Sequence, residues 1–307
     1  MQPAIRALRK GFAAGVIAVA LLLPIAIPTG AAEPAAAQQY ITITPAVREL
    51  RVDPGGSVSG SMSVINQGAE SFKLSLEVAP YRVEGVRYDP KFTRLPGTTD
   101  TSQWLALNVS PMAELAPQKT LEVAYDITVP AATQPGGYYA VVFAEAGPAK
   151  AEPGSVSARN RVGQVVYITV NGEVKQQGSA RGGAVPGLVI GGEVKAPLFV
   201  RNDGGVHFKT KSTLTVKDIF GQTVYTTSRE NFVLPQTERE IDFAWSTKAL
   251  LGLYTIERSA SVPGGEARVD TARVLVVHPL TIGILLVVLA AGFFYLQLRR
   301  ARKGRSR

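Results

Sequence analysis

The sequence predicts an all-β protein, namely two tandem immunoglobulin-like β-sandwiches followed by a C-terminal transmembrane helix. Three observations predict this fold. Apolar and polar residues alternate with a period of two through much of residues 40–278, and an internal repeat divides that region into two copies. An apolar run without charged residues follows, long enough for a membrane-spanning helix.

The first element is an N-terminal targeting segment. Met1–Lys10 carries three basic residues and no acid, and the apolar run Gly11–Ile27 and several small residues follow it. This order is typical of a secretory signal peptide, with cleavage expected after Ala32 or Ala37. We interpret residues 1–37 as a signal peptide, and the alternative is an uncleaved N-terminal anchor.

The region after the signal peptide is predicted to consist of antiparallel strands. In residues 57–66 (SVSGSMSVIN) serine occupies every second position from 57 to 63, and residues 72–78 (FKLSLEV) and 121–129 (LEVAYDITV) also alternate between apolar and polar residues. Turn residues such as Pro, Gly and Asn separate these stretches. Half-buried strands produce this pattern, and no sustained helical period occurs between residues 40 and 278.

An internal repeat indicates two related domains. VINQGAESFK at residues 64–73 and VRNDGGVHFK at residues 200–209 share Val-x-Asn-x-Gly, followed by Phe-Lys at the same spacing. Each copy continues with a proline, an alternating strand, and a glycine turn into a tyrosine-containing strand. Asn and Gly suit a turn between two strands. Three matches in the same order predict two β-sandwiches of common design.

The domain boundary is predicted in a polar, glycine-rich stretch without alternation, residues 174–186. This linker leaves domain 1 at residues 40–173 and domain 2 at residues 187–277, lengths that suit immunoglobulin-like sandwiches. The chain has no cysteine, so an exported protein of this kind would rest on burial alone, which favours a bacterial surface.

A transmembrane helix is predicted at residues 279–298, which contain no charged residue. Twenty helical residues rise about 30 Å, the thickness of a bilayer's hydrocarbon core. The tail that follows, residues 299–307, is strongly basic, so we predict a cytoplasmic tail and an ectodomain outside the cell membrane. The basic residues that set this topology are Arg299, Arg300, Arg302, Lys303, Arg305 and Arg307.

The net charge of +9 does not indicate a nucleic-acid partner. Met1–Lys10 and the tail hold nine of the 33 basic residues, which leaves 24 against 24 acidic residues in the rest of the chain. A nucleic-acid-binding domain needs its excess positive charge on the folded part. We therefore exclude nucleic acid as a partner.

A candidate ligand-binding loop lies in domain 1. The first copy of the repeat is longer than the second, mainly through Tyr81–Trp104, and long loops on rigid sandwiches commonly bind ligands. Cations and rings interleave there, a mixture that suits glycans and acidic wall polymers. The alternative is a loop folded onto its own sandwich. The candidate residues are Arg82, Arg87, Tyr88, Lys91, Phe92 and Arg94.

The whole layout resembles the WxL-interacting proteins of Gram-positive surfaces. The stretches that carry the resemblance are YITITPAVRELRVDPGGSVSGSMSVINQG (40–68), GGYYAVVFAEA (136–146), RVGQVVYITVNGEV (161–174), VRNDGGVHF (200–208) and VKDIFGQTVY (216–225). The resemblance implies a non-enzymatic surface protein whose first domain binds peptidoglycan and whose second domain binds surface proteins. Similar motifs occur in other bacterial immunoglobulin-like domains, including pilus chaperones.

The sequence predicts no catalytic site, metal site or cofactor. Neither His207 nor His278 has neighbours that suggest a metal pair or a Ser-His-Asp arrangement, and the acids form no calcium loop. The predicted function is a membrane-anchored surface scaffold that binds cell-wall polymer or an exported protein. The alternative is a chaperone-like assembly factor that lends a sheet edge to exported subunits.

Overall fold

The computed structural model describes residues 41–148 and 159–304, and in these residues the protein is mostly β-strand with one C-terminal α-helix. The described residues belong to one compact unit. The prediction of β-strands before a single C-terminal helix is confirmed at this level. The predicted signal peptide lies outside the described residues.

The N-terminal half is built from strands of 3 to 13 residues and one 3₁₀ helix. They are β1 (Ile41–Thr44), β2 (Val47–Val52), β3 (Ser57–Asn66), β4 (Phe72–Pro80), β5 (Arg82–Glu84), β6 (Asp89–Lys91), a 3₁₀ helix (Thr101–Trp104), β7 (Leu105–Leu107), β8 (Met112–Leu115), β9 (Thr120–Thr128), β10 (Gly136–Pro148) and β11 (Asn160–Val170).

These strands form two main sheets over one hydrophobic core. One sheet has the order β1-β3-β9-β7 and the other β2-β11-β10-β4-β8, and both contribute buried side chains such as Val64 and Ile168. Tyr125 lies fully buried in this core, where its hydroxyl donates to Gln164 Oε1 at 2.6 Å. Burial raises the pKa of Tyr125 to about 12, so the phenol stays neutral and can donate this bond.

The C-terminal half has strands of 2 to 13 residues and ends in the helix. Its elements are β12 (Gly178–Gly182), β13 (Leu188–Ile190), β14 (Val194–Lys195), β15 (Leu198–Asn202), β16 (Phe208–Lys217), β17 (Thr223–Val233), β18 (Glu238–Ile241), β19 (Ala244–Trp245), β20 (Leu251–Val262), β21 (Gly265–Val277) and α1 (Pro279–Gly304).

The five-stranded sheets of the two halves have equivalent strand orders. The C-terminal order β13-β21-β20-β16-β17 matches β2-β11-β10-β4-β8, and in each sheet the first strand pairs in parallel with the last strand of its half. The other strand pairings described in these two sheets are antiparallel. The equivalent edge strands differ in length, because β8 has 4 residues and β17 has 11.

The repeated asparagine explains the shared sequence motif. Asn66 and Asn202 are both fully buried. Asn66 Nδ2 donates to the carbonyls of Glu70 (2.8 Å) and Leu115 (3.0 Å), and its Oδ1 accepts from Gly68 N at 2.9 Å. One side chain therefore ties the turn after β3 to a carbonyl of β8.

Asn202 makes the corresponding bonds in the second copy. Its Nδ2 donates to the carbonyls of Val206 (2.9 Å) and Val233 (2.8 Å), and its Oδ1 accepts from Gly204 N at 2.9 Å. Each copy also places a glutamine at positive φ, Gln118 at 58° and Gln236 at 57°, whose amide donates to a carbonyl of the asparagine turn.

The predicted linker, residues 174–186, is not a free connector. Its residues 178–182 form β12, which pairs antiparallel with β15 along its whole length. Apolar and polar residues do not alternate in this stretch, because pairing through the backbone does not require alternation and because close packing requires glycine at some of its positions. A side chain at Gly178 would meet the Phe208 ring at 2.9 Å.

The C-terminal helix follows β21 after one residue. Pro279–Gln297 is long and apolar enough to cross a membrane, and none of it is buried within the protein. Its start is attached to the preceding loop, since His278 N and Thr281 Oγ1 both donate to the Leu250 carbonyl, at 2.8 and 2.6 Å. The helix continues to Gly304, and the last three residues of the predicted tail lie outside the described residues.

Candidate functional site

The predicted ligand loop, Tyr81–Trp104, is an ordered hairpin followed by a 3₁₀ helix. Strands β5 and β6 pair from Arg82↔Lys91 to Glu84↔Asp89, and the turn between them reaches the C-terminal half of the chain. There the Val86 carbonyl accepts a hydrogen bond from Glu240 N at 2.7 Å. The hairpin therefore connects the two halves.

Tyr88 at the tip of this hairpin is a buried contact rather than a surface residue. It is 8% exposed and belongs to the core of the C-terminal half. Its hydroxyl accepts from Leu234 N at 2.8 Å and is hydrogen-bonded to Thr237 Oγ1, while the Arg239 guanidinium lies 4.5 Å from the ring centroid. Burial raises the pKa of Tyr88, which keeps the phenol neutral in this position. Tyr88 as placed here is not available to a ligand.

The other five predicted residues lie at or near the surface but not in one place. Arg82 forms an ion pair with Glu84 and donates through Nε to the Thr93 carbonyl at 2.9 Å. Lys91 Nζ lies 3.8 Å from the same glutamate. The remaining three are Arg87, Phe92 and Arg94, which are exposed.

Phe92 is partly covered by a neighbouring aromatic residue. It is 38% exposed and packs edge-on against Phe143, with ring centroids 4.8 Å apart. The Arg161 guanidinium lies 3.6 Å from the centroid of the Phe143 ring. Phe92 thus packs the hairpin against β10 of its own half.

A groove remains between the insertion and the start of β10. Its volume is about 280 Å³, and Arg82 and Arg94 are the two candidate residues that line it. Tyr81, Tyr138 and Tyr139 form part of its wall, together with several threonines of the insertion. Two guanidinium groups beside aromatic rings and hydroxyls are suited to an acidic or hydroxylated ligand.

An aromatic cluster forms a second contact between the two halves, and the sequence did not predict it. His207 packs against Tyr139, Tyr167 and Phe232, with ring centroids 5.5, 4.8 and 5.9 Å away. The Tyr139 hydroxyl is 3.2 Å from His207 Nδ1 and accepts a bond from the His207 backbone N–H. Burial lowers the pKa of His207, although Glu49 at 3.7 Å acts in the opposite direction. His207 thus serves as a neutral packing residue.

A long strand edge is a further candidate site. In the sheets described here, β17 pairs with β16 on one side and has no strand on the other. The Lys211 N–H in β16 donates to Ser261 Oγ on the β20 side, so the adjacent Ser212 directs its backbone groups towards β17, where its partner is Arg229. Because these directions alternate along an antiparallel strand, Ser228 directs its N–H and C=O away from the sheet.

The outward-facing positions of β17 are accessible along most of the strand. At its far end, the Phe232 carbonyl follows the same alternation and accepts a bond from Arg239 Nη1 at 2.8 Å, which closes the edge there. The open part can accept an additional strand. Between the register shift at Val224 and the closed end, the outward-facing residues are Thr226, Ser228 and Glu230, and all three have exposed side chains.

The described residues do not show a metal centre. Within residues 41–148 and 159–304, no group of three His, Asp or Glu side chains is placed to hold a metal ion. The exposed acids instead form surface ion pairs such as Arg181–Glu238 and Lys209–Glu230, both at 2.8 Å.

Comparison with known proteins does not identify a family. No protein-family model and no curated protein matches the chain. Similar solved structures include the class 5 fimbriae chaperone CfaA, which is 12% identical, covers 78% of this chain and 99% of that chain, and gives a TM-score of 0.40. The E. coli chaperone DraB is 13% identical over 76% of this chain and 97% of that chain, with a TM-score of 0.37.

A third similar structure is the CsuC–CsuE chaperone–tip subunit complex of Acinetobacter baumannii, 10% identical over 78% of this chain and 99% of that chain, with a TM-score of 0.38. At these identities and TM-scores, the likeness assigns the chain neither a family nor a function. The resemblance to WxL-interacting proteins stays a prediction.

Proposed function

We propose that the protein is a non-enzymatic, membrane-anchored surface protein that binds an extended segment of an exported protein at the free edge of β17. Its two halves, residues 40–173 and 187–277, are tandem immunoglobulin-like sandwiches, of the kind that the resemblance to WxL-interacting proteins implies. The observation that carries the proposal is an 11-residue edge strand with outward-facing backbone groups and no partner strand in the described sheets.

The membrane anchor in this proposal is α1. Its apolar segment Pro279–Gln297 has the length of a bilayer span, and the basic tail after it favours a cytoplasmic C-terminus. With a signal peptide at the other end, both sandwiches lie outside the membrane. The surroundings of the histidines favour a non-enzymatic role, because His207 is held in an aromatic cluster and His278 Nδ1 accepts from Leu280 N at 3.2 Å.

Strand addition is favoured by the chemistry of the β17 edge. Natural edge strands are usually short or protected by charges directed inward, because open edges pair with other chains. The equivalent edge β8 has only 4 residues, whereas β17 has 11 and presents Thr226, which is β-branched and suits pairing with a further strand. Added backbone hydrogen bonds would supply affinity, and exposed side chains would supply selectivity.

Site-specific photocrosslinking in producing cells tests this proposal. A crosslinking residue replaces Thr226 at the free edge or, as control, Ser59, which is exposed on the interior strand β3. We expect a protein adduct at Thr226 that is lost when Ser228→Pro removes a neighbouring outward N–H, and that is kept with Ser228→Ala. Equal adducts at both positions, or an adduct that survives Ser228→Pro in a folded variant, would contradict strand addition.

A second candidate function is binding of an acidic wall polymer in the groove beside the insertion. The observation in its favour is the pair Arg82 and Arg94 in a groove lined by tyrosines and threonines. Full-length protein in detergent would be sedimented with purified cell-wall sacculi. We expect Arg94→Ser to reduce retention and Arg87→Ser, which removes an exposed arginine outside the groove, to leave it unchanged. Equal retention of both variants and the parent would exclude the groove.

A further inference from the structure

The outer face of the C-terminal five-stranded sheet changes from polar to apolar towards the membrane helix. The register aligns Ile190, Val277 and Leu251 in one row across β13, β21 and β20, directly before α1. The side chains of the two outer members point to solvent, at 57% exposure for Ile190 and 60% for Leu251. A solvated sheet face is normally polar, so this row is unusual.

The next row of the same face is also apolar, and the row beyond it is polar. Leu188, Leu275 and Leu253 align two residues further from the helix, with Leu188 53% and Leu253 44% exposed. One further step brings Thr255 and Arg273 into register. The boundary between apolar and polar surface thus runs straight across the strands.

The β16–β17 hairpin adds an apolar tip at the same end of the sheet. Lys217 at the end of β16 pairs with Thr255, so the turn that follows extends past Thr255 towards the apolar rows. Ile219 and Phe220 in this turn are 64% and 80% exposed. An aromatic residue this exposed on a turn has no role in the core of its own protein.

These side chains lie close to the start of the proposed membrane span. The two apolar rows are two residues apart, or about 7 Å along the strands, and one residue separates β21 from α1. The loop at Leu250, itself 52% exposed, is hydrogen-bonded to the first turn of the helix. The headgroup layer on each side of a bilayer is about 5–8 Å thick, which matches the depth of the apolar rows.

We propose that this membrane-proximal end, formed by both apolar rows, Leu250 and the Ile219–Phe220 tip, inserts into the headgroup layer of the bilayer that α1 crosses. The occupant is the lipid interface, because the apolar surface continues directly into the apolar surface of the helix. The inference rests on the proposed membrane anchoring. Insertion would attach the second sandwich to the membrane at several points and leave the outward edge of β17 accessible from the side.

Single-cysteine labelling tests this proposal, and the chain offers a clean background because it contains no cysteine. Full-length protein is reconstituted into phosphatidylcholine–phosphatidylglycerol vesicles with a fluorophore at Phe220→Cys or Leu253→Cys. The matched control is Thr271→Cys, an exposed position on the same strand and face as Leu275, beyond the polar boundary. A label at Leu289→Cys reports on the span itself.

We expect lipids brominated near the headgroup to quench the labels at residues 220 and 253 at least twofold more than the label at 271. Iodide in the aqueous phase should instead quench the label at 271 more than the labels at 220 and 253. If residues 220 and 253 behave like 271 while deep brominated lipids quench 289, the interfacial contact is refuted and the anchor stands. If 289 is not quenched, the anchor itself fails. In a further outcome, the label at residue 220 is protected from iodide only at a high protein-to-lipid ratio and is not quenched by brominated lipid. That result would assign the surface to a second copy of the chain and overturn the proposal.

Discussion

Replacing the buried turn asparagine of the second repeat should destabilise the C-terminal half selectively. Asn202→Ala removes three side-chain hydrogen bonds, to the carbonyls of Val206 and Val233 and from Gly204 N, in a fully buried position. At about 1 kcal/mol net for each bond, the free energy of unfolding should fall by ~3 kcal/mol. The two carbonyls lose a side-chain donor in a water-excluded place, so this value is a lower bound.

The two tryptophans allow each half to be followed separately. Trp104 is buried in the N-terminal core and Trp245 in the C-terminal core, and the chain has no other tryptophan. Urea titrations in detergent would use variants in which one tryptophan is replaced by phenylalanine. With an m-value of about 2 kcal/mol/M, Asn202→Ala should lower the midpoint reported by Trp245 by about 1.5 M.

The control is an asparagine of the same chemistry at the surface. Asn108 is exposed and donates a single bond to Asp126 Oδ2, at 2.9 Å, so Asn108→Ala should change stability by less than about 0.5 kcal/mol. Asn66→Ala should reproduce the effect of Asn202→Ala in the Trp104 signal, because its bonds correspond. If Asn202→Ala costs no more than Asn108→Ala, the reasoning from buried hydrogen bonds is wrong.

Three further predictions follow from packing and charge, all measured by the same titrations. Tyr88→Phe should cost about 1–2 kcal/mol, because the buried Leu234 N–H loses its acceptor; an unchanged midpoint would contradict the docked hairpin. Burial lowers the pKa of His207 below its unfolded value of 6.5, so the unfolded chain binds the proton more readily; stability should fall as pH drops below about 6.5, and His207→Gln should flatten this dependence. Gly60→Ala should cost about 1–3 kcal/mol, because its Cβ would lie 2.4 Å from the ring of buried Tyr125, whereas Gly187→Ala, with open space around it, should be neutral.

Several features could be predicted because they depend on local sequence. Alternation along residues 57–66 reflects a strand with one buried face, and the structure forms β3 over these residues. The apolar run after His278 forms one helix that is long and apolar enough to cross a membrane, a property of its local composition. The repeated Asn-x-Gly predicted two equivalent turns, and in the structure Asn66 and Asn202 make corresponding side-chain hydrogen bonds.

Other features could not be predicted because they depend on register and on contacts distant in the chain. The sequence singled out Tyr88 as an aromatic residue in a long loop, but only the folded chain brings Leu234 and Thr237 beside its hydroxyl. The glycine-rich stretch was interpreted as a linker because alternation was absent, whereas pairing with β15 depends on backbone groups alone.

The sequence by itself determined the all-β class, the two copies and the helix that could span a membrane, because periodicity and hydropathy act over neighbouring residues. Tertiary structure alone decided that the hairpin at Tyr88 docks on the C-terminal half, that β17 has an open edge, and that Leu253 and Phe220 lie near the helix start. These outcomes follow from which strands become neighbours, and the side-chain pattern of a single strand does not specify its neighbour.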